Sequence, residues 1–114
     1  LYVSEDAILP QNEFVLVPTG IAMEIPPGFG VEIYGRSSMH KQGVIVQTGI
    51  VDSDYTGEIK VQAVNFGKVL PIVLHRGDRI GQFMMVWLES TELEETDALR
   101  ETARGSGGFG STGK

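Results

Sequence analysis

Asp52 directly follows the apolar residues Ile50 and Val51, within the stretch at positions 49–57 that joins two strand-like runs. A carboxylate held at the end of a strand can act as a general base that removes a proton from water. Tyr55, three positions later, offers a ring face on which a ligand ring can pack. Asp, Ser and Gly are also ordinary turn formers, so the alternative is a hairpin loop whose carboxylates cap its own backbone.

Residues 35–38 read Gly-Arg-Ser-Ser and follow an apolar run. If a helical turn begins there, the Arg36 guanidinium, the Ser37 and Ser38 hydroxyls and unpaired backbone N–H groups would lie together, and these groups bind phosphate well. The alternative is a serine N-cap next to a surface arginine.

Residues 76–82 lead into the most apolar run of the chain, which begins at Ile80. Asp78 and Arg79 are adjacent there, which predicts a turn with a local ion pair of small energetic worth. Gln82 lies between Ile80 and Met84 in the alternation of the strand, so we expect a buried amide that needs hydrogen-bond partners.

The closing stretch, residues 104–114, matches the spacing G-x-G-x-x-G and most of the phosphate-loop pattern G-x-x-x-x-G-K. Both patterns need a strand before them and a helix after them, and this sequence stops at Lys114. Two interpretations are left: a disordered tail, or a flexible arm that folds over a phosphate ligand. Arg104 and Phe109 favour the arm, because linkers seldom carry a cation and an aromatic ring between their glycines.

The composition narrows the class of protein. With 114 residues, 41% of them hydrophobic, the chain can form one domain with one core. Fifteen acidic and nine basic residues give a net charge of -6, which argues against binding to nucleic acid or to an anionic membrane. There is no cysteine, and the two histidines show no metal-ligand spacing, so no zinc site is expected. Without a membrane-length apolar run or signal peptide, we expect a soluble cytoplasmic protein, or one of the host cell or virion if a phage or virus encodes it.

Short apolar runs separated by Gly and Pro predict strands over most of the chain. These runs are residues 14–17, 21–25, 31–33, 44–46, 59–63, 69–74 and 80–88. The alternation slips at Val64, which predicts a β-bulge. One helical turn is expected at 37–42, with Ser37 or Ser38 as its N-cap.

Many short strands in one small domain predict an all-β fold, a small jelly-roll-like domain or distorted β-barrel. We expect this core at residues 1–88. An acidic, exposed connector follows at 89–103, and a flexible Gly-rich arm at 104–114.

Four stretches, taken in order, resemble the motifs of the trimeric dUTPase family: GRSS at 35–38, GIVDSDYTGEI at 49–59, GDRIGQ at 77–82 and RGSGGFGSTG at 104–113. Together they extend over nearly the whole chain, which makes the resemblance specific. It implies an enzyme that hydrolyses dUTP to dUMP and pyrophosphate. It also implies a homotrimer whose active sites are shared between subunits, and Mg²⁺ bound mainly through the substrate phosphates and water.

The resemblance assigns roles at the nucleoside end. Asp52 corresponds to the general base that deprotonates a water for attack on the α-phosphorus, and Tyr55 to the ring that packs on deoxyribose and excludes a 2′-hydroxyl. Main-chain groups of Gly49 and of the facing strand near Lys60 are expected to recognise uracil.

At the phosphate end, the resemblance assigns the binding of phosphates to Arg36, Ser37, Ser38 and Gln82. In the arm, Phe109 would stack on uracil and Arg104 would neutralise the terminal phosphate. Gly110, Ser111 and Thr112 would give amides and hydroxyls to the phosphate chain.

The sequence departs from the family in several places. The family's first motif reads roughly Gly-x-Asp-Leu-Tyr, and this sequence begins at Leu1-Tyr2 without that aspartate. The expectation is therefore a fragment, or an N-terminal part supplied in another way, and we name no protein metal ligand. Gly35, Ser38 and Gly81 replace a common proline, glycine and alanine. Two other functions stay open: a related dCTP deaminase, and a non-catalytic nucleotide-binding or regulatory module.

Overall fold

The structure is a computed structural model that describes residues 1–68 and 71–108. Within these ranges, eight strands and one short helix follow one another along the chain. They are β1 (Ala7–Leu9), β2 (Phe14–Pro18), β3 (Phe29–Gly35), α1 (Ser37–Lys41), β4 (Val44–Val46), β5 (Gly49–Val51), β6 (Lys60–Asn65), β7 (Ile72–Leu74) and β8 (Gly81–Trp87). The all-β prediction is confirmed.

The strands form three small antiparallel sheets around one core. Their strand orders are β1-β7, β2-β6-β4 and β5-β3-β8. Inward-facing aliphatic side chains from all three sheets meet in the interior, as expected for sheets with one buried face. Those in the core include Leu9, Val17, Ile33, Val44 and Val61, and Ile80 joins them from the position before β8.

The sequence prediction of a bulge at Val64 is wrong. Val64 pairs with Phe14 of β2 on one side and Ile45 of β4 on the other, and both registers continue to Ala63 without a skipped residue. Val64 is 2% exposed although it lies on the outer face, because it stands between these two apolar neighbours. Its burial therefore comes from its cross-strand partners and not from a change of face.

Asn65 at the end of β6 is fully buried, and its side chain connects three parts of the chain. Its Nδ2 donates to the Leu9 carbonyl at 3.3 Å, and its Oδ1 accepts the Gly67 N–H at 2.8 Å. A buried amide costs free energy unless it is hydrogen-bonded. These bonds join the end of β6 to β1 and to the loop after β6.

Two predictions of local structure need correction. The helical turn is present, but its N-cap is Arg36 and no side chain caps it, since both serines already lie inside the helix. The run at 21–25 is not a strand. It makes one main-chain bond, from the Ile59 N–H to the Ile21 carbonyl, before two prolines that cannot donate to a ladder.

The chain after Trp87 leaves the sheets. Residues 88–108 contain no helix or strand, and Leu93 and Leu99 are 100% and 86% exposed. The radius of gyration is 18.8 Å, against about 13 Å for a compact domain of 100 residues, because this segment projects from the core. The division into core, connector and arm stays a prediction. Within the described part of the chain, no helix is long and apolar enough to cross a membrane.

Candidate functional site

Asp52 comes directly after β5, at an exposed position. The pairing of β5 with β3, through Val31 and Val51, fixes where that strand ends. Among the described residues, no hydrogen bond or ion pair engages the Asp52 carboxylate. The main-chain carbonyl of Asp52 accepts the Tyr55 N–H at 3.1 Å, which closes a turn. The turn therefore fixes the backbone of Asp52, and its carboxylate is open to a water molecule.

The stretch around Asp52 does not form a paired hairpin. Its two flanking strands belong to different sheets, since β5 pairs with β3 while β6 pairs with β2 and β4. Both edges of β6 are thereby occupied, so β5 cannot add to it. The hairpin loop that was the alternative interpretation of this stretch is therefore not a paired hairpin, although the turn itself is present.

A recess of about 350 Å³ lies beside this turn, and we call it the Asp52 recess. It is lined by Leu16, Ile50, Val51, Asp52, Tyr55, Glu58, Ile59 and Lys60. Most of these side chains are apolar, and one carboxylate from the turn faces them. A recess of this kind suits a flat, partly apolar group that carries a reactive centre at one end.

A second recess of about 240 Å³, the Gly49 recess, adjoins the first. It shares four residues with the Asp52 recess and adds Ile33, Gln47, Thr48, Gly49 and Gln62. The structure thus brings four of the predicted site residues to one continuous surface: Asp52, Tyr55, Gly49 and Lys60.

Arg36 and Ser38 line a different cavity of about 440 Å³, which we call the arginine cavity. Its other residues are Met39, Gln42, Ile72, Val73, Leu74, Gly77, Asp78 and Arg79. Ser37 does not line it. Two guanidinium groups at one cavity favour an anionic ligand with several oxygens.

Sequence reasoning missed Arg79 as a site residue, because it assigned Arg79 to an ion pair with Asp78. That ion pair is not formed: the Asp78 carboxylate accepts the His75 N–H at 2.8 Å, and no salt bridge within the described ranges involves Arg79. The GDRIGQ motif could have identified Arg79 as a candidate site residue. That Arg79 lines one cavity with residues of α1 depends on the fold.

Gln82 is exposed, so the expectation of a buried amide is wrong. In β8 it pairs with Tyr34, and its Nε2 donates to the Gly35 carbonyl at 3.3 Å. Its neighbour Met84 is exposed as well, so the apolar alternation of β8 does not mark a buried face. The bond to Gly35 places the amide next to the residue that precedes Arg36.

The C-terminal predictions are only partly within the described chain. Arg104 is exposed, and its Nε donates to the Gly107 carbonyl at 2.8 Å. It lines neither the Asp52 recess nor the arginine cavity. Phe109, Gly110, Ser111 and Thr112 lie outside the described residues.

The described part of the chain shows no metal site made of protein side chains alone. Within residues 1–68 and 71–108, no three His, Asp or Glu side chains converge as ligands. A Mg²⁺ ion that is held by substrate oxygens and water does not need such a cluster.

The family model and the similar proteins all indicate the same family. The dUTPase family model matches residues 1–113. Deoxyuridine 5'-triphosphate nucleotidohydrolase from Thermobifida fusca is 42% identical over 116 residues, which cover 99% of this chain and 65% of that protein. The protein of the same name from Gloeothece citriformis is 45% identical, over 96% of this chain and 77% of its own length.

Solved structures agree with the fold. A point mutant of the Staphylococcus bacteriophage 80alpha dUTPase with dUpNHpp superposes with a TM-score of 0.91 at 21% identity, over 100% of this chain and 84% of that one. A dUTPase from phage phi11, described with a structural Mg(II) ion, gives a TM-score of 0.78 at 18% identity, over 86% and 81% of the two chains. The jelly-roll-like, barrel-type fold predicted from the sequence is confirmed.

Proposed function

The chain belongs to the dUTPase family, and we propose that it hydrolyses dUTP to dUMP and pyrophosphate. The observation that carries this proposal is the placement of an uncommitted carboxylate, Asp52, on the same recess wall as Tyr55. A deoxynucleoside with its 5′ oxygen near Asp52 would present the α-phosphorus to a water held there.

In the proposed reaction, Asp52 accepts a proton from a water molecule. The water oxygen forms a bond to the α-phosphorus as the bond from that phosphorus to the α,β-bridging oxygen breaks. Pyrophosphate leaves with the bridging oxygen, and dUMP keeps the α-phosphate with the new oxygen. Once the products leave, the exposed position of Asp52 would let the proton pass on to solvent.

The Gly49 recess is proposed to hold uracil. Main-chain groups of Gly49 and Lys60 would recognise the base edge, and Tyr55 would pack on the deoxyribose. A backbone N–H aimed at O4 of uracil would face another donor in cytosine, and such a mismatch is costly in a desolvated site. The same arrangement would therefore exclude dCTP.

The phosphate chain is proposed to bind to the arginine cavity and its surroundings. Arg36, Ser37 and Ser38 come from α1 and its N-cap, Gln82 reaches the adjacent Gly35, and Arg79 adds a second guanidinium. Mg²⁺ would neutralise part of the phosphate charge while bound to substrate oxygens and water.

The C-terminal arm is proposed to close this site. Phe109 would stack on uracil, Arg104 would meet the terminal phosphate, and Gly110, Ser111 and Thr112 would donate to the phosphate oxygens. Closure would remove water and strengthen these charged contacts.

We also propose a homotrimer with shared sites, as the family resemblance implies, and two properties of the single chain support a shared site. The Asp52 recess and the arginine cavity have no lining residue in common, so one chain does not join them into a single pocket. β8 is also an edge strand of its sheet, and Phe83, Met84, Met85 and Trp87 on it are exposed. Long apolar edge strands are usually covered by a partner. The cytoplasm, or the host cell or virion, stays the proposed location.

Pyrophosphate release from dUTP, dCTP, dTTP and UTP tests the proposed activity. We expect rapid release from dUTP only. Ammonia released from dCTP would indicate a deaminase, and nucleotide binding without turnover would indicate a non-catalytic module. Either result would contradict the proposal.

A further inference from the structure

We infer that Gly57 and Glu58 are positioning residues for Tyr55, and that through Tyr55 they set the preference of the site for deoxyribose over ribose. This inference rests on the proposed function, since it concerns the sugar side of the same recess. Its basis is how the Tyr55 ring is held.

The Tyr55 ring is tied to its own loop at two points. The phenol oxygen donates to the Glu58 carbonyl at 2.8 Å, and the Tyr55 main-chain N–H donates to the Asp52 carbonyl at 3.1 Å. The first bond restrains the far end of the ring and the second restrains the backbone at its base. The ring therefore has a defined place on the wall that it shares with Asp52.

Gly57 leaves the space that this ring position requires. A Cβ atom at Gly57 would lie 2.7 Å from the Tyr55 oxygen, 2.8 Å from Cζ and 3.2 Å from Cε2. The two contacts below 3.0 Å are shorter than Cβ atoms make in proteins, so an alanine would force a movement. The φ angle of Gly57 is outside the left-handed region, so its backbone conformation would accept an alanine. Glycine is thus needed at position 57 because a side chain there would contact the Tyr55 ring, and not because of the backbone conformation of Gly57.

The backbone around Gly57 is anchored to the stretch that follows β2. The Glu58 carboxylate accepts the Gly20 N–H at 2.9 Å. The Thr19 hydroxyl donates to the Ile59 carbonyl at 2.5 Å, and the Ile59 N–H donates to the Ile21 carbonyl at 2.8 Å. Thr19 and Ile59 are both buried.

Three hydrogen bonds therefore oppose a shift of residues 57–59, whereas the exposed Tyr55 phenol is held by one. If Gly57→Ala forces a movement, we therefore expect the Tyr55 ring to move and the backbone of residues 57–59 to stay in place. A displaced ring would no longer fill the space beside the sugar, and a 2′-hydroxyl would fit there.

The test compares dUTP and UTP as substrates of the full chain. We expect Gly57→Ala to lower the ratio of kcat/KM for dUTP to that for UTP by about tenfold or more, since sites that exclude a hydroxyl sterically discriminate by up to about 100-fold. Glu58→Ala should lower the ratio less. Glu58→Gln should restore it, because the amide keeps an oxygen that can accept the Gly20 N–H.

A double-mutant cycle shows whether Gly57 acts through Tyr55. In a Tyr55→Ala background the added methyl has no ring to meet, so Gly57→Ala should change the ratio no further. An unchanged ratio in the single Gly57→Ala variant, or an equal fall in the Tyr55→Ala background, would overturn the inference.

A second measurement does not depend on activity. The chain has three tyrosines, so ring signals from ¹³C-labelled tyrosine can be assigned. Gly57→Ala should shift the Tyr55 signals and leave those of Tyr2 and Tyr34 in place. If the wild type does not hydrolyse dUTP, the proposed function fails. Unmoved Tyr55 signals would instead contradict the positioning role.

Discussion

The Asp52 recess and the arginine cavity are built in opposite ways. The recess comes from one contiguous stretch, residues 50–60, with Leu16 as the single contribution from elsewhere. The cavity combines three separate stretches at 36–42, 72–74 and 77–79. When one stretch forms a surface, the functional groups of that surface can be identified from consecutive residues. A surface formed by three depends on the strand order that brings them together.

The two surfaces also differ in chemistry. The recess presents mostly apolar side chains, the free Asp52 carboxylate and the ion pair of Glu58 with Lys60. The cavity presents two guanidinium groups and the Asp78 carboxylate beside several apolar side chains. We interpret this as a division of tasks, in which the recess selects the nucleoside and activates water and the cavity binds the phosphates. Changes in the recess should then alter kcat and sugar selectivity, and changes in the cavity should alter affinity for the phosphate chain.

Asp52→Asn should produce the largest effect. General-base catalysis contributes typically about 10²- to 10⁴-fold, so kcat for dUTP should fall by about that factor. Affinity should stay nearly constant, because the amide has the same shape as the carboxylate. Pyrophosphate release gives kcat, and calorimetric titration with dUMP gives the affinity.

Asp54→Asn is the matched control for this experiment. Asp54 lies in the same turn and is exposed, but it does not line the recess. It should keep activity close to that of the wild type. A large loss of dUMP affinity in Asp52→Asn, with kcat unchanged, would show that Asp52 binds the substrate and is not the base.

Removal of the arm should have the next largest effect. A chain that ends before Arg104 loses the proposed stack on uracil, which is worth about 1 to 3 kcal/mol. This corresponds to a fall in kcat/KM of roughly 5- to 150-fold. Circular dichroism and light scattering should show an unchanged fold and assembly, because residues 89–106 are exposed and pack on no sheet. Full activity of the shortened chain would contradict the closing role of the arm.

The sequence predicted the parts of the site that depend on neighbouring residues. Asp52 and Tyr55 were identified from one turn, and the structure places both on one recess. Ordered motifs at four places identified the family, which the family model confirms over residues 1–113. Apolar alternation likewise located β2 and β4 closely, since each has a buried face.

The errors concern contacts that the residue pattern does not specify, some between distant segments and some within one turn. Val64 looked like a bulge because the sequence does not show that Phe14 and Ile45 flank it. Asp78 was paired with its neighbour Arg79, whereas the fold turns it towards the His75 N–H. The local pattern of apolar residues predicts which face of a strand is buried, but not which strand lies beside it. The burial of Val64 on the outer face of β6 and the arginine cavity could therefore not be predicted without the strand order.

Arg79→Ala tests whether the arginine cavity binds the outer phosphates of dUTP. Loss of one charge-assisted hydrogen bond should raise KM for dUTP by about tenfold. Affinity for dUMP should change much less, because dUMP lacks the outer phosphates. Arg76→Ala is the control, since Arg76 is close in sequence but does not line the cavity. Equal losses for dUTP and dUMP would place Arg79 outside the phosphate site.

The smallest expected effect concerns Asp6, which fastens the loop next to the arginine cavity. Its carboxylate accepts the Arg76 N–H at 2.8 Å and lies 3.4 Å from His75 Nδ1. These contacts, first the Arg76 N–H and then the His75 ring, lower the pKa of Asp6 below its ordinary value of 3.8. The folded state therefore favours the charged form. This stabilisation is fully present above pH 3.8 and is lost as the pH falls through the lower pKa of the folded state.

Urea unfolding at several pH values checks this prediction. At neutral pH, Asp6→Asn should have a lower midpoint than the wild type, and the difference should shrink as the pH falls below 3.8. Asp97→Asn, in the exposed connector, should follow the wild type throughout. If the difference between Asp6→Asn and the wild type were the same at every pH, the Asp6 carboxylate would not fasten the loop through its charge. The loop next to the arginine cavity would then be held by its other hydrogen bonds, such as the one from the Gly77 N–H to the Val3 carbonyl at 2.8 Å.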